Sequence, residues 1–235
     1  MKRNAVIPAC LIFILSCGAS TNPQLKARIA GMYAPASAKN YGAIRRFTQP
    51  MPLAVGQYVV HGTTDDDGER SVSRTSIVGR DSGGWVYEFH NITDSQETLS
   101  QICIRGIDKA RTSGNADDIE ILWVRTKGED GQVQKIEGPM LYMVRAMYKG
   151  TLSNLNTKID IQTSGGPVTV PAGTFAGTIS AKAEVSILGR TFKSSAWYHS
   201  AIPINGLVKS VTDNNSNTME LLDFGVRGAT SQLRE

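Results

Sequence analysis

The stretch Gly83-Gly84-Trp85-Val86-Tyr87-Glu88-Phe89-His90 carries the pattern that decides the fold of this chain. Two glycines, which favour a turn, precede a run in which aromatic side chains occupy every second position. A period of two places those aromatic side chains on one face of a β-strand. Gly-Gly between two such runs is a hairpin signal. The stretch therefore predicts a half-buried strand that is entered through a tight turn.

The same texture extends from Tyr58 almost to the C-terminus. Short alternating or β-branched runs are separated by turn signals such as Asp67-Gly68, Asp130-Gly131 and Gly189-Arg190. The predicted strands are residues 58–61, 71–78, 85–90, 98–105, 119–126, 132–136, 158–162, 168–170, 174–188, 191–199, 207–211 and 218–224. Tight turns join antiparallel neighbours, so the chain is expected to be mainly β and antiparallel.

One segment has a helical period instead. The side chains of Met140, Met143, Val144 and Met147 recur at i, i+3, i+4 and i+7, which is one face of a helix. Gly138-Pro139 suits the start of a helix and Gly150 suits its end. We expect an amphipathic helix that lies across the sheet. Its methionine face either packs as ordinary core or lines a pliable apolar cavity, since methionine adapts to varied shapes.

These elements restrict the fold class. A large antiparallel sheet must protect its edges and bury one face. A single strongly curved sheet, or open half-barrel, of about ten strands around one internal amphipathic helix satisfies both needs. A closed barrel and a two-sheet sandwich are the competing arrangements.

The N-terminus points to export. Met1-Lys2-Arg3 is basic, residues 5–15 are mostly apolar, and Ile14-Leu15-Ser16-Cys17-Gly18 follows. This order is typical of a secretory signal peptide, and the cysteine makes it resemble a bacterial lipoprotein signal. The resemblance implies cleavage before Cys17, a diacylglycerol on its thiol and a further acyl chain, such as palmitate, on its amine. Because Gly18 is not Asp, it also implies the outer membrane. The alternative is ordinary cleavage near Ala19, which gives a soluble periplasmic protein.

The predicted organisation has four parts. Residues 1–16 are the lipoprotein signal peptide, 17–56 the lipidated Cys17 with a tether, 57–228 the antiparallel domain, and 229–235 a C-terminal tail. The tether is rich in Ala, Pro, Gly, Ser and Asn, yet its Leu25, Ile29 and Met32 recur at helical spacing. An alternative is that this piece docks on the sheet as a short helix.

Charge and motifs exclude several classes of function. Of 25 basic and 21 acidic residues, Lys2 and Arg3 leave with the signal peptide, so the mature net charge is 23 − 21 = +2. A net charge this small does not indicate a nucleic-acid-binding protein. No phosphate-binding loop, nucleophile elbow or paired metal-ligand motif occurs. We therefore expect no metal and no cofactor. The histidines at 61, 90 and 199 are read as ordinary strand residues, the acidic residues 65–69 as a turn, and Cys103 as a small buried hydrophobe.

Two stretches resemble a known group of proteins. They are Ser76-Ile77-Val78-Gly79 with Gly84-Trp85-Val86-Tyr87-Glu88, and Val170-Pro171-Ala172-Gly173-Thr174-Phe175 with Ala196-Trp197-Tyr198 and the segment 202–209. Over roughly residues 56–225 they resemble a loosely defined group of Gram-negative lipoproteins with curved antiparallel sheets, similar to the periplasmic lipoprotein carrier and its outer-membrane receptor. The resemblance brings no catalytic residues.

The sequence therefore predicts a non-enzymatic outer-membrane lipoprotein that faces the periplasm. It would bind a hydrophobic ligand, a lipid or a lipoprotein acyl chain, inside the curved sheet. The candidate lining residues are Met140, Met143, Val144, Met147, Trp85 and Trp197. One alternative is a structural or assembly lipoprotein that binds another envelope protein, which an exposed apolar patch would favour. An enzyme is the third, and it would need a cleft with convergent His and carboxylate groups.

Overall fold

One sheet of twelve strands organises the chain in its computed structural model. The structure describes residues 21–34, 39–42, 51–113, 115–128, 131–153, 156–187, 190–212 and 216–233. Cys17 and the predicted signal peptide lie outside the described residues.

The elements follow one another in a simple order. The helices are α1 (Pro23–Met32), α2 (Ile107–Ser113) and α3 (Gly138–Ser153), with a short 3-10 turn at Ala116–Asp118. The strands are β1 (Asn40–Tyr41), β2 (Tyr58–Asp65), β3 (Arg70–Asp81), β4 (Gly84–Ile92), β5 (Glu97–Arg105), β6 (Glu120–Lys127), β7 (Val133–Ile136), β8 (Asn156–Val170), β9 (Gly173–Ile187), β10 (Arg190–Tyr198), β11 (Leu207–Thr212) and β12 (Asn217–Gly225).

The sheet is antiparallel except at one short contact. Its order is β8-β9-β10-β11-β12-β2-β3-β4-β5-β6-β7, and β1 pairs in parallel with the start of β9. Among the described strands, β7 and β8 each pair with a single neighbour, so the sheet is open. The mainly β, antiparallel class predicted from the hairpin signals is confirmed, with twelve strands instead of about ten.

The sheet is strongly curved. Strands β9 and β12 are three positions apart, which is about 14 Å in a flat sheet with strands about 4.8 Å apart. The rings of Phe175 in β9 and Phe224 in β12 nevertheless have centroids 6.0 Å apart. The amide of Ala172, between β8 and β9, also donates to the carbonyl of Leu221 in β12 at 3.1 Å. The β8–β9 end of the sheet therefore folds back over the face that carries Leu221, which we call the concave face.

The concave face holds most of the core. One cluster there includes Val59, Phe175, Val208 and Leu221, and a second includes Ile77, Trp85, Tyr87 and Ile104. Ile204, from the loop between β10 and β11, packs against both clusters. The opposite, convex face has a smaller cluster of Ile29, Val72, Ile92 and Leu222. Ile29 belongs to α1, so this helix covers part of the convex face.

Three details differ from the sequence predictions. There are three α-helices in the described chain, not one: α1 lies in the segment that was read as a tether with a short helix as the alternative, and α2, of seven residues, was not predicted. Residues 158–162 and 168–170 belong to one strand, β8, whose register shifts near Gly166 where a break was predicted. Helix α3 forms where predicted, but it is not internal: Met140 is 58% exposed and Met143 is 57% exposed.

Helix α3 lies against the edge of the sheet. Arg145 Nε donates to the carbonyl of Ile121 at 2.7 Å, and Arg145 Nη2 donates to that of Leu122 at 3.3 Å. Strand β7 pairs with β6 only from Val124 onward. The helix therefore satisfies edge carbonyls of β6 that β7 does not reach, which protects an otherwise open edge.

Candidate functional site

The convex face presents three parallel rows of side chains drawn from adjacent strands. The register aligns Gly62, Val72 and Ile92 in a first row and Val60, Arg74 and His90 in a second. A third row contains Tyr58, Ser76, Glu88 and Gln101. Because side chains alternate between faces along a strand, residues two apart in β4 point to the same side and fall in successive rows.

The first row is covered by α1. Pro23 is at the start of the helix, and the side chain of Asn22 accepts from the amide of Gln24 at 2.9 Å, which is a typical N-cap. Ile29, 2% exposed, packs on Val72 and Ile92. The segment predicted as a tether thus contains a helix that belongs to the folded body, as in the alternative drawn from its helical spacing.

Tyr33 fastens the end of α1 to the sheet. Its hydroxyl donates to the carbonyl of Thr63 at 2.9 Å and lies 3.2 Å from that of Ser71, while the Arg70 guanidinium lies 4.5 Å from the ring centroid. The ring sits directly on Gly62, where an added Cβ would lie 2.4 Å from Tyr33 Cζ. A glycine at this position is therefore what allows the helix to approach the sheet.

The third row is covered by the C-terminal segment. The buried Glu88 carboxylate accepts from Gln101 Nε2 at 2.9 Å, from Ser231 Oγ at 3.1 Å, and from the amides of Gln232 and Leu233 at 3.0 and 3.2 Å. These donors replace the water that a buried carboxylate loses. Residues of the predicted C-terminal tail are therefore held on the convex face by a strand side chain.

An open pocket of about 350 Å³ lies over the second row, between α1 and the C-terminal segment. Five of its lining side chains are apolar and come from α1, β2, β3, β4 and β12: Met32, Val60, Val72, Ile92 and Leu222. The other five are polar: Arg28, Arg74, His90, Asp223 and Gln232. The pocket therefore joins an apolar floor to a polar rim that contains two arginines.

Two of the polar rim residues share one carboxylate. Arg28 Nη1 donates to Glu97 Oε2 at 2.8 Å, and His90 Nε2 is hydrogen-bonded to Glu97 Oε1. Partial burial raises the pKa of Glu97, but the hydrogen bonds from Arg28 and His90 outweigh it and hold that pKa below its usual value. Glu97 thus links α1 to β4 beside the pocket.

Arg74 has a different environment. Its guanidinium lies 4.4 Å from the ring centroid of Tyr58, and its Nε donates to Ser76 Oγ at 3.3 Å. No carboxylate of the described chain lies within ion-pair distance of Arg74. The nearby Asp223 accepts from the Tyr58 hydroxyl at 3.1 Å. Burial, followed by the charge of Asp223, raises the pKa of Tyr58.

The residues predicted from the sequence to bind a ligand occupy three separate regions. Met140 and Met143 are exposed on α3, where Val144 is half-buried, and the side chain of Met147 lies outside the described residues. Trp85 lies in the core of the concave face, and its Nε1 donates to Asp108 Oδ2 at 2.7 Å. Trp197 is half-buried in β10, five positions from β4 in the sheet order. The structure does not bring them into one pocket, and their contact with a ligand stays a prediction.

The two other histidines and Cys103, which the sequence analysis singled out, make local contacts within the fold. His61 Nε2 lies 3.0 Å from the carbonyl of Leu207, and burial lowers its pKa. His199 Nε2 lies 3.0 Å from the carbonyl of Gly42. Burial raises the pKa of the Cys103 thiol. In the part of the chain that the structure describes, no three His, Cys, Asp or Glu side chains form a group that could hold a metal ion.

Sequence reasoning missed the pocket residues Arg28, Arg74 and His90. A usable signal was present in β3, where Val72, Arg74 and Ser76 share one face and put an arginine beside an apolar side chain. The signal was incomplete because one wall of the pocket is helix α1, which lies outside the strand-rich region of the sequence. Only the docking of α1 turns an alternating strand face into a pocket.

Comparison with known proteins places the chain in no family. No family model matches the sequence, and no curated protein matches it. Among solved structures, a "putative lipoprotein from Parabacteroides distasonis ATCC 8503" matches with a TM-score of 0.34 and 12% identity, over 74% of this chain and 97% of that one. PNGF-II matches with a TM-score of 0.28 and 10% identity, over 74% of this chain and 28% of that one. TM-scores this low do not indicate a common fold, so no property of either protein is transferred to this chain.

The described helices add one fact about membranes. None of them is both long and apolar enough to span a bilayer.

Proposed function

We propose that this chain is a non-enzymatic, lipid-anchored outer-membrane protein facing the periplasm, and that it binds a single acyl chain in the convex-face pocket. The observation that carries the proposal is the pocket wall formed by α1. This wall lies beside an apolar floor and comes soon after the predicted lipidation site in the sequence. The proposal keeps the hydrophobic ligand expected from the sequence and moves its site from α3 to α1.

The size and lining of the pocket support a small apolar ligand. Ligand pockets in proteins have volumes of about 300–1,000 Å³ and are mostly apolar with a few polar groups, and this pocket of about 350 Å³ is at the lower end. Each CH₂ group that leaves water contributes about 0.8 kcal/mol. Val72, Ile92 and Leu222 are 5% exposed or less, so an acyl segment would bury its CH₂ groups mainly against the half-buried Met32 and Val60.

The position of the pocket along the chain supports a ligand from the membrane. Cys17 precedes Pro23 by six residues, and an extended chain covers at most about 3.5 Å per residue. An anchor at Cys17 thus keeps the start of α1 within roughly 20 Å of the bilayer surface. A site so close to the leaflet meets amphiphiles at high local concentration.

The test is native mass spectrometry of the body without Cys17, exported to the periplasm and purified gently. Two methionine variants discriminate between the two sites: Met32→Lys places a charge in the pocket, and Met143→Lys places one on the exposed face of α3. We expect an adduct of lipid mass that is lost with Met32→Lys and retained with Met143→Lys. The mass of the extracted ligand should stay unchanged after prolonged incubation, since the proposal is for binding without conversion.

The opposite results overturn the proposal in different ways. Loss of the adduct with Met143→Lys alone would return the site to α3. A protein that carries no adduct and takes up none from added phospholipid vesicles would remove the binding function altogether.

A second candidate is an assembly lipoprotein, and one observation favours it. On α3, Tyr142 is 73% exposed beside the exposed Met140 and Met143, so the outer face of this helix is apolar. Such patches often mark protein–protein contacts. A photo-cross-linking residue at position 143, used in the intact envelope, should capture a defined partner if this candidate is correct. The same residue at position 226, also on an exposed apolar side chain, is the matched control.

A further inference from the structure

The pocket is lined by two arginines, Arg28 and Arg74, and by His90 and Asp223. Arg28 and His90 both contact Glu97. Arg74 remains as a pocket cation with no ion pair to the described part of the chain. An arginine in this situation is ready to pair with an anion from a ligand.

The orientation of Arg74 is already fixed. Its guanidinium lies over the Tyr58 ring at 4.4 Å, and its Nε donates to Ser76 Oγ at 3.3 Å. A guanidinium has five N–H donors in a rigid plane, so the terminal nitrogens keep donors for a second partner. Because the side chain is held by stacking, less rotamer entropy is lost when it binds a carboxylate or a phosphate in bidentate fashion.

The apolar floor starts directly beside this cation. The register places Arg74 opposite Val60 on one side and His90 on the other, and Val72 precedes it on the same face of β3. A ligand head at Arg74 can therefore continue as an apolar chain over the half-buried Val60 towards Met32 of α1. The pocket matches a molecule with one anionic end and one apolar end.

We infer that the ligand of this pocket is a single-chain anionic amphiphile whose carboxylate or phosphate head pairs with Arg74 while its chain lies under α1. This inference rests on the proposed function and specifies the ligand class of the same site. Arg28 and His90 lie beside the head, but their hydrogen bonds to Glu97 keep them from pairing with it.

The experiment measures binding of three probes of equal chain length to the exported body without Cys17: decanoate, decyl phosphate and decanol, by isothermal titration below their aggregation concentrations. Arg74→Gln removes the proposed head contact. Arg80→Gln is the matched control, because Arg80 also stacks on an aromatic ring, that of Trp85 at 4.3 Å, but lies outside the pocket. Urea unfolding of each variant reports whether it is folded.

We expect Arg74→Gln to weaken decanoate or decyl phosphate binding about 10- to 100-fold, which is the usual effect of a charge-assisted hydrogen bond. Decanol should bind with the same affinity to the wild type and to Arg74→Gln, and Arg80→Gln should bind all three probes like the wild type. Tighter binding of decyl phosphate than of decanoate would indicate a phosphate head, as in a lysophospholipid. The reverse order would indicate a carboxylate head, as in a free fatty acid.

Three results would overturn the inference. If decanol binds as tightly as the two anions and Arg74→Gln changes nothing, the pocket takes acyl chains without head recognition, and the proposed function survives alone. If Arg74→Gln and Arg80→Gln weaken the anions equally, the effect is not local to the pocket. If no probe binds to the folded wild type, the inference and the proposed function fail together.

Discussion

Helices α1 and α3 show opposite relations between sequence pattern and packing. Helix α1 lies in a stretch that composition marks as a tether, yet it buries Ile29 to 2% exposure on the sheet. Helix α3 has a regular stripe of methionines, yet Met140 and Met143 are more than half exposed. A hydrophobic period therefore shows that a helix has an apolar face, but it does not show which surface covers that face.

The difference has a physical cause in what each helix meets. On the convex face α1 packs against the apolar side chains of Val72 and Ile92, and the absence of a side chain at Gly62 leaves room for Tyr33. Helix α3 follows β7 directly and meets β6 before Val124, where the carbonyls of Ile121 and Leu122 accept hydrogen bonds. Its contact there is made by Arg145. At the edge of the sheet α3 thus makes its hydrogen bonds through a polar side chain, and Met140 and Met143 remain exposed.

The largest expected effect on stability comes from truncating one apolar side chain in each of the two helices. Ile29→Ala removes buried methyl and methylene groups and should lower the free energy of unfolding by about 2–5 kcal/mol. Met143→Ala changes an exposed side chain and should stay within about 0.5 kcal/mol of the wild type. Urea unfolding followed by circular dichroism measures both. Equal losses for the two variants would contradict the difference in packing.

A change at Gly62, where the end of α1 contacts the sheet, should have a smaller effect on the free energy of unfolding. Gly62→Ala puts a Cβ against Tyr33 and Leu222 and should cost about 1–3 kcal/mol, as overpacking does. The control is Gly79→Ala in the neighbouring strand β3, where an added Cβ meets no atom within 4 Å. Faster hydrogen exchange of α1 amides in Gly62→Ala, with α3 amides unchanged, would show that α1 packs less tightly on the sheet. Unchanged exchange in both helices would mean that the sheet adjusts to the methyl group.

Acid should loosen α1 and leave α3 unaffected. The pKa of Glu97 is lowered in the folded state below its ordinary value of 4.5, so the unfolded chain takes up a proton first. The stabilisation is complete above pH 4.5 and is lost as the pH falls through the lower, folded-state pKa. Both partners of the Arg28–Glu97 pair are more than one third exposed, so the effect stays below about 1 kcal/mol.

Hydrogen exchange of α1 amides at pH 6 and at pH 3.5, corrected for intrinsic rates, measures this loosening. Glu97→Gln, which cannot titrate, should remove the difference between the two pH values for α1. A similar acid response in the variant would assign the loosening to another group.

Much of the sheet could be predicted from the sequence, because its signals are local. The aromatic alternation in β4 and the Gly83-Gly84 turn predict a strand and its entry, and both are present. Strand β1 was missed, since two residues paired with β9 carry no period. The continuous β8 was divided in two by Gly165-Gly166-Pro167, which reads as a turn but is accommodated by register shifts.

The candidate site could be predicted less well. The sequence reasoning combined the apolar face of α3 with two tryptophans from separate strands, whereas the pocket combines one or two side chains from each of six other segments. Arg74 and His90 are 16 residues apart in sequence and become neighbours only through the β3–β4 register. No local period connects Met32 with Leu222, although both line the pocket.

By itself the sequence determined that the chain is a hairpin-rich, antiparallel protein, since turn residues and a period of two act over a few neighbouring positions. The tertiary structure decided which apolar faces are covered. It folded the β8–β9 end over Leu221, placed α1 on Val72 and Ile92, and left Met140 and Met143 of α3 exposed. These outcomes depend on sheet curvature and on which surfaces remain open once the strands have paired, and both arise from contacts between residues far apart in the chain.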